Sequence, residues 1–458
     1  LLLAPRDYLS TFMKIGTIGL LALAILVVLP DLRMEAVTDF ASRGDGPVFA
    51  GSLFPFVFIT IACGALSGFH ALISSGTTPK MIQKETQVRT IGYGAMLMES
   101  SVAMMAITAA CILEPGVYFA MNAPSAVIGD TLQSASETIT SWGFTLTPEQ
   151  LSQAAEAVEE ESLLSRTGGA PTLALGLAGI LADFLGGDAM MGFWYHFAIM
   201  FEALFILTAI DAGTRVGRFI LQDALASTHR SMARLRSTTW LPGILLTSGL
   251  VVGLWGYLLW VGVNDPLGGI NTLYPLFGIS NQLLGAVALA VCTVLLVKSG
   301  RAKYAWVTAV PMAWVAIVTL TASWQKVFSG DPRVGFLAQR DQYQEGIDAG
   351  EVIGPAQDMD DMQTIVNNAT LDAVLSAVLA LLVLVVFVDA ARICLKALRD
   401  PGSVQLAEAP RVESRIIAPA GLIPTKEERA ELAAAGLGHG GGVPGETPGG
   451  ARREGAGT

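Results

Sequence analysis

Residues 189–210 read Ala189-Met190-Met191-Gly192-Phe193-Trp194-Tyr195-His196-Phe197-Ala198-Ile199-Met200-Phe201-Glu202-Ala203-Leu204-Phe205-Ile206-Leu207-Thr208-Ala209-Ile210. At about 1.5 Å per helical residue such a run reaches across the roughly 30 Å hydrocarbon core of a bilayer. It contains no Asp, Lys or Arg, yet it holds His196 and Glu202. A membrane segment keeps ionisable groups where they face a packed interior or a wet cavity, and there they mark a pathway or a coupling site. Glu99 and Asp183 sit in apolar runs in the same way. The pattern points to an all-α polytopic membrane protein that moves something.

Composition agrees. The chain is 52% hydrophobic and 15% charged, against about 25% charged in a soluble domain. The net charge of -11 comes with no basic face, which argues against nucleic-acid binding. No Walker A loop, HExxH or GxSxG occurs, so neither an ATP-driven pump nor a common hydrolase is expected. The reading is not an enzyme, with no cofactor and no metal site. Uphill transport would draw on an ion gradient. The four cysteines, Cys63, Cys111, Cys292 and Cys394, show neither metal nor disulfide spacing and are expected to be buried, inert thiols. The chain opens on Leu1 without a signal-peptide pattern. The expectation is a fragment whose N-terminal part is missing.

Apolar runs lie at about 11–30, 48–75, 91–121, 171–187, 189–210, 241–262, 271–297, 304–323 and 370–389. Basic residues cluster at 76–90, 213–240, 298–303 and 392–399, which the positive-inside rule assigns to the cytoplasm. The loops 122–169, with seven acids and one base, and 325–369, with eight acids and three bases, read as external. Parity then allows one crossing where runs 171–187 and 189–210 both lie. The short, Gly-rich 171–187, which carries Asp183, is expected to be re-entrant or interfacial. About eight crossings remain, with both ends of the fragment cytoplasmic. Residues 1–398 form the membrane domain and 399–458 a largely disordered cytoplasmic tail. Within that tail Thr425-Lys426-Glu427-Glu428 is a capping box that opens a short helix, and Gly436 is its stop signal. The run Glu159-Glu160-Glu161 reads as a solvated face.

Several places carry chemistry. Gly92, Ala95, Glu99, Ala103, Ala106, Ala110 and Glu114 fall at helical spacing on one stripe, and small residues there predict close helix packing. A desolvated Glu99 on that stripe can bind and release a proton. The plain alternative is a Glu that only hydrogen-bonds a neighbour. In Gly64-Ala65-Leu66-Ser67-Gly68-Phe69-His70 the Gly, Ser and His residues interrupt an apolar span, and Pro55 precedes them. Broken membrane helices place free backbone groups beside a cavity. Ser67 and His70 would contact a polar substrate, with breaks at Gly64 and Gly68. The alternative is an intact helix packing closely through its glycines. A second break is expected at Pro275 and Gly278, followed by Ser280, Asn281 and Gln282, which offer donors and acceptors. His196 and Glu202 are six residues apart, about 120° around a helix, and do not form a direct pair.

These strings resemble the carbon starvation protein A family. The resemblance rests on residues 64–70 continuing to Ser75-Gly76-Thr77-Thr78-Pro79-Lys80, on Ile91-Gly92-Tyr93-Gly94-Ala95-Met96-Leu97-Met98-Glu99-Ser100, and on Phe193 to Glu202 with Asp211-Ala212-Gly213-Thr214-Arg215-Val216-Gly217. Ala4 to Leu9 and Pro275 to Gln282 are similar too, and the match covers most of residues 1–400. The resemblance implies a multi-spanning bacterial inner-membrane transporter for peptides or pyruvate, used when carbon is scarce and proton-coupled in some members. It also implies a relation to inverted-repeat transporters with broken helices, and an N-terminus longer than this one. It supplies no site residues, so the set Ser67, His70, Glu99, Asp183, His196, Glu202, Ser280, Asn281 and Gln282 rests on the physical reading. The expected function is a secondary importer of a small carboxylate-bearing nutrient. Its partners are that substrate, the bilayer and the missing N-terminal part, and its coupling ion is H+ with Na+ as the other option. A passive channel and a nutrient sensor or receptor are the alternative classes.

Overall fold

A computed structural model describes residues 3–82, 84–228, 230–237, 240–400 and 424–434. All regular structure among them is helical. The chain divides into two compact units, Leu1–Pro79 with Glu99–Ala407, and Lys80–Met98 with Glu408–Thr458. In the second, α19 (Lys426–Ala434) starts at the expected capping box: Glu428 N donates to Thr425 Oγ1 at 3.2 Å, and Thr425 N to the Glu428 carboxylate at 2.8 Å. The predicted stop at Gly436 lies outside the described residues.

In chain order the first unit begins with α1 (Leu3–Val28) and the single turn α2 (Phe40–Arg43). The run 48–75 follows in pieces, α3 (Leu53–Thr60), α4 (Ala62–Ala65) and α5 (Gly68–Gly76), then α6 (Thr78–Met81). The helix α7 (Gln87–Cys111) leads into four short helices, α8 (Pro115–Asn122), α9 (Ser125–Ile128), α10 (Leu132–Ser141) and α11 (Pro148–Ala157). Then come α12 (Gly169–Phe184), α13 (Met191–Thr228), α14 (Leu241–Val263), α15 (Gly269–Lys298), α16 (Trp306–Phe328), α17 (Phe336–Ala349) and α18 (Met359–Arg399).

Seven of the described helices are long and apolar enough to cross a membrane: α1, α7, α13, α14, α15, α16 and α18. The eighth expected crossing is the broken run 48–75, no piece of which is long enough alone. The run 171–187 becomes α12, whose 16 residues reach about 24 Å, short of the hydrocarbon core. It is nonetheless mostly buried, packed on α1 and α13. In contrast α14 is apolar throughout and buries only Gly243 and Thr247. A helix apolar on all sides and bare to the outside is what lipid contact requires.

Two packing centres organise the unit. One joins α1, α12 and α13 to the segment 122–169, which is not an open loop. Capping boxes at Thr131 and Thr147 start α10 and α11. Phe40, Phe119, Trp142 and Phe144 pack ring to ring over a core that includes Ile128, Ile139 and Leu151. The other joins α15, α16 and α18 to α3, α4 and α5 through Phe56, Ile59, Ile279, Leu283, Ala322 and Val383, with α17 folded against α18. Charged groups tie α1 to α13: Arg6 pairs with Asp211, and Lys14 donates to Thr208 at 3.0 Å.

Three expectations need correction. On α7 the inward face carries Val102, Met105 and Ala109 together with Ala106 and Ala110 of the predicted stripe, whereas Gly92, Ala95, Glu99 and Ala103 of that stripe are exposed in this chain. The cysteines are not buried; Cys63 and Cys292 are exposed and the other two half-buried. The segment 325–369 begins inside α16, not in a loop, so Lys326 belongs to a helix.

α12 approaches α7 backbone to backbone at Gly176, where a Cβ would strike the Ala109 carbonyl, while Gly179 has ordinary room. Gly176→Ala is therefore expected to cost about 1–3 kcal/mol by overpacking. Gly179→Ala should be neutral or stabilising by up to about 1 kcal/mol through helix propensity. Thermal unfolding of the two variants in detergent measures the difference.

Candidate functional site

The broken helix decides where polar groups meet. The backbone leaves helical geometry between Ala65 and Gly68, with Ser67 at φ -83°, ψ 112°. Ser67 then caps α5 by accepting from His70 N at 3.2 Å. This matches the predicted break at Gly64 and Gly68, and a chain interrupted here frees carbonyls and N–H groups that hydrocarbon cannot satisfy.

The partners come from α15. Asn281 Oδ1 accepts from Phe69 N at 2.9 Å, Gln282 Nε2 donates to the Phe58 carbonyl at 2.5 Å, and the Tyr274 hydroxyl donates to the Thr60 carbonyl at 2.7 Å. Gln282 Oε1 accepts from Thr319 of α16 at 2.8 Å. Two glycines permit the approach. A Cβ on Gly278 would lie 2.6 Å from Ile59 Cγ2, and one on Gly68 would collide with the Asn281 carbonyl. The predicted second break is absent. α15 runs unbroken through Pro275 and Gly278, and Asn281 and Gln282 of the polar triplet repair the first break instead of lining a second. Asn281 Nδ2 is the exception, buried with no partner among the described residues. Ser280 bonds only its own helix, at the Leu276 carbonyl.

Other predicted residues lie apart. His70 Nδ1 stands 3.9 Å from the Glu99 carboxylate, both side chains about half-exposed at 52% and 49%. The structure thus brings Glu99 to His70 but does not desolvate it within this chain. On α13, Gly213 touches Phe69 and Val216 touches Gly76. Glu202, eleven residues before Gly213, is therefore about 16 Å along the axis from that contact, and His196 is farther. Glu202 is half-buried; His196 and Asp183 are exposed.

Sequence reading missed a second polar cluster. Lys326, in the last turn of α16, is 5% exposed and sits over the rings of Phe49, Phe56 and Phe336 at 5.0, 5.4 and 5.7 Å from their centroids. Asp372 of α18 is 5% exposed and Asp265, between α14 and α15, is 7%. Asp265 accepts from Leu267 N at 2.8 Å and Asn368 Nδ2 at 2.7 Å. Asp331 beyond α16 is half-buried; its side-chain hydrogen bond with Arg333 holds its carboxyl below the usual range. The available signal was Thr319, Ser323 and Lys326 at i, i+4 and i+7, one helical face running out of an apolar span.

The family model of Carbon starvation protein CstA matches residues 1–322. The Peptide transporter CstA of Mycobacterium tuberculosis strain H37Rv is 52% identical over 433 residues, 94% of this chain and 57% of that protein. The Peptide transporter CstA of Escherichia coli K12 is 56% identical over 406 residues, 88% of this chain and 57% of that protein. The Pyruvate/proton symporter BtsT of the same bacterium is 52% identical over 393 residues, 81% of this chain and 54% of that protein. The chain spans a little over half the length of these relatives. No solved structure matches it.

Gln282 answers a carbonyl and a hydroxyl at once. Gln282→Leu is expected to cost about 1–3 kcal/mol by orphaning the Phe58 carbonyl, whereas Thr319 keeps the Val315 carbonyl at 2.7 Å. Ser280→Ala should stay within about 0.5 kcal/mol. Denaturation midpoints of the purified variants provide the comparison.

Proposed function

The chain belongs to the carbon starvation protein CstA family, and on that footing we propose that it forms part of a secondary transporter importing a small carboxylate-bearing nutrient, a peptide or pyruvate. Protons are the coupling ion in this reading. The observation that carries it is the broken helix α3–α4–α5 cradled by α15, with the buried, unpartnered Asn281 amide beside the start of α5. Interrupted helices are where secondary transporters hold their substrates. A helix N-terminus with a free amide donor suits a carboxylate. Ser67 and Asn281 already take two of the N–H groups there, so Asn281 Nδ2 is the donor we assign to substrate.

The relatives' printed names, peptide transporter and pyruvate/proton symporter, support the substrate class and the coupling ion. The family's description supports a role in carbon starvation. The basic segments support a reading in which both ends of the chain lie in the cytoplasm of a bacterium, with the bilayer of the inner membrane as solvent. Glu99, with His70 beside it, is the first choice for the coupling proton. Glu202, His196 and Asp183 are second choices.

The test is uptake of labelled pyruvate and of a labelled dipeptide by the complete protein in proteoliposomes, under a proton gradient, a sodium gradient or none. One substrate is expected to accumulate under the proton gradient. Glu99→Gln should reconstitute normally and lower that accumulation about tenfold, within the usual range of a coupling free energy. Accumulation under sodium alone replaces the coupling ion. Equilibration without accumulation makes the protein a channel, and no flux favours a sensor. Unchanged pH dependence in Glu99→Gln removes Glu99 from the role.

A further inference from the structure

The Lys326 cluster lies outside the broken-helix site but is wired to it. Thr319, which bonds Gln282, lies on the same α16 face as Ser323 and Lys326. Seven residues separate Thr319 from Lys326, or about 10 Å along the helix. All three side chains are buried. Across from them on α18, Ser376 is 0% exposed with no partner for its hydroxyl among the described residues, one turn beyond Asp372.

The charges in this cluster are only loosely matched. Three rings stabilise the Lys326 ammonium by their faces but give its N–H groups no acceptor. No ion pair within 4.0 Å joins Lys326 to Asp372, and neither makes a hydrogen bond with another described residue. Val327, Phe336 and Ala373 share one buried cluster, and the Lys326 ammonium lies over the Phe336 ring, so Lys326 and Asp372, the chain neighbours of Val327 and Ala373, come to the same place. Asp372 and Asp331 are the charges that act on Lys326, and Asp265 and Lys326 those that act on Asp372. Asp331 is engaged by Arg333 and Asp265 by Leu267 and Asn368. Tyr343 of α17, its hydroxyl pushed up by burial and then by the Asp265 charge, stays a neutral neighbour. Among the described residues Asp372 is left as the carboxylate with no donor of its own, and Lys326 as the cation with no acceptor.

A desolvated charge that loses its counter-charge is strongly disfavoured, so such a site keeps its net charge balanced. An anion reaching Lys326 would leave Asp372 uncompensated unless a proton arrived with it.

Building on the transporter reading above, we propose that Lys326 binds the carboxylate of the transported substrate and that Asp372, its resident counter-charge, takes up one proton as the carboxylate arrives. Before binding the pair is ammonium and carboxylate. After binding it is ammonium and substrate carboxylate beside a neutral Asp372 acid, the new O–H bond being the only one formed. One proton and one carboxylate occupy the site together, and both leave on the other side. The buried polar face from Gln282 to Lys326 is the path between the broken helix and this site. On this proposal the Asn281 amide and Lys326 are two successive stations for the substrate carboxylate, and Glu99 and Asp372 two successive stations for the coupling proton.

The experiment measures proton-driven accumulation and gradient-free exchange of labelled pyruvate and of a labelled dipeptide in proteoliposomes of the complete protein. Asp372→Asn is expected to keep exchange, lose accumulation and flatten the pH dependence of uptake. Lys326→Met should lose exchange about a hundredfold, as truncating a desolvated charge partner does, and Lys326→Arg should recover part of it. The double variant Lys326→Met/Asp372→Asn, which removes both charges, should fold but not accumulate. Wild-type accumulation by Asp372→Asn, or recovered accumulation in the double variant, would overturn the proposal and leave the pair a packing feature. If a neutral variant fails to fold, Lys326→Arg and Asp372→Glu decide: unchanged KM and unchanged pH dependence in both overturn it. A wild-type protein that accumulates neither probe sinks the transporter reading itself, a result distinct from variants that behave like an active wild type.

Discussion

A helix that breaks inside an apolar slab must have its freed backbone groups answered by other parts of the protein, because lipid offers no hydrogen bonds. That constraint organises α15, α16 and the run from Leu53 to Gly76. Asn281, Gln282 and Tyr274 project from one continuous helix onto the Phe69 amide and the Phe58 and Thr60 carbonyls. Gly278 and Gly68 let the backbones come close enough for short side chains to reach. Replace the glycines and the polar side chains have nothing to repair; replace the side chains and the close approach leaves orphaned groups.

Among the described residues buried polar atoms are left without a partner on α13, at Tyr195, Arg218 and Gln222, on α15 at Asn281 and on α18 at Ser376. Asn281 spends its carbonyl on Phe69 and has no described partner for its amide. An unpaired buried donor costs stability, so its persistence beside the start of α5 is the feature that points to a ligand. Lys326 and Asp372 are a second such expense, two buried charges held near each other without contact. Both features lie on the α15–α16–α18 side of the unit; the α1–α12–α13 side is held by apolar packing and by Arg6 with Asp211, and it buries the Tyr195 hydroxyl without a described partner.

Much of this was legible. Gly64, Ser67, Gly68 and His70 inside an apolar run announce a break, since Gly and a capping Ser are what a helix restart needs. The weak run 171–187 reads as too short for a full crossing, and α12 is. Pro275 points to a break, but a proline within a helix forfeits one backbone bond without having to end it, and α15 continues through it. Lys326 misled for another reason. A charge near the end of an apolar run looks like the first residue of a loop, and only the rings of Phe49, Phe56 and Phe336, from segments far apart in sequence, show that it is inside. Asp372 passed unnoticed at the edge of run 370–389 for the same cause. Glu99 was placed on an inward stripe by its spacing to small residues, yet Val102, Met105 and Ala109, with Ala106 and Ala110, carry the contact, a rotation that spacing alone does not resolve.

The amino-acid sequence by itself determined that this is an all-α membrane protein with a helix broken near Ser67, because hydropathy, length and helix-interrupting residues are local properties of the chain. It also carried the family strings. Tertiary structure alone decided which polar residues meet: that Asn281 and Gln282 mend the first break in place of making another, that Glu99 stands by His70, and that Lys326 and Asp372 share a buried site. Those outcomes depend on the rotation and approach of helices whose contacts are non-local, and only packing in three dimensions sets them.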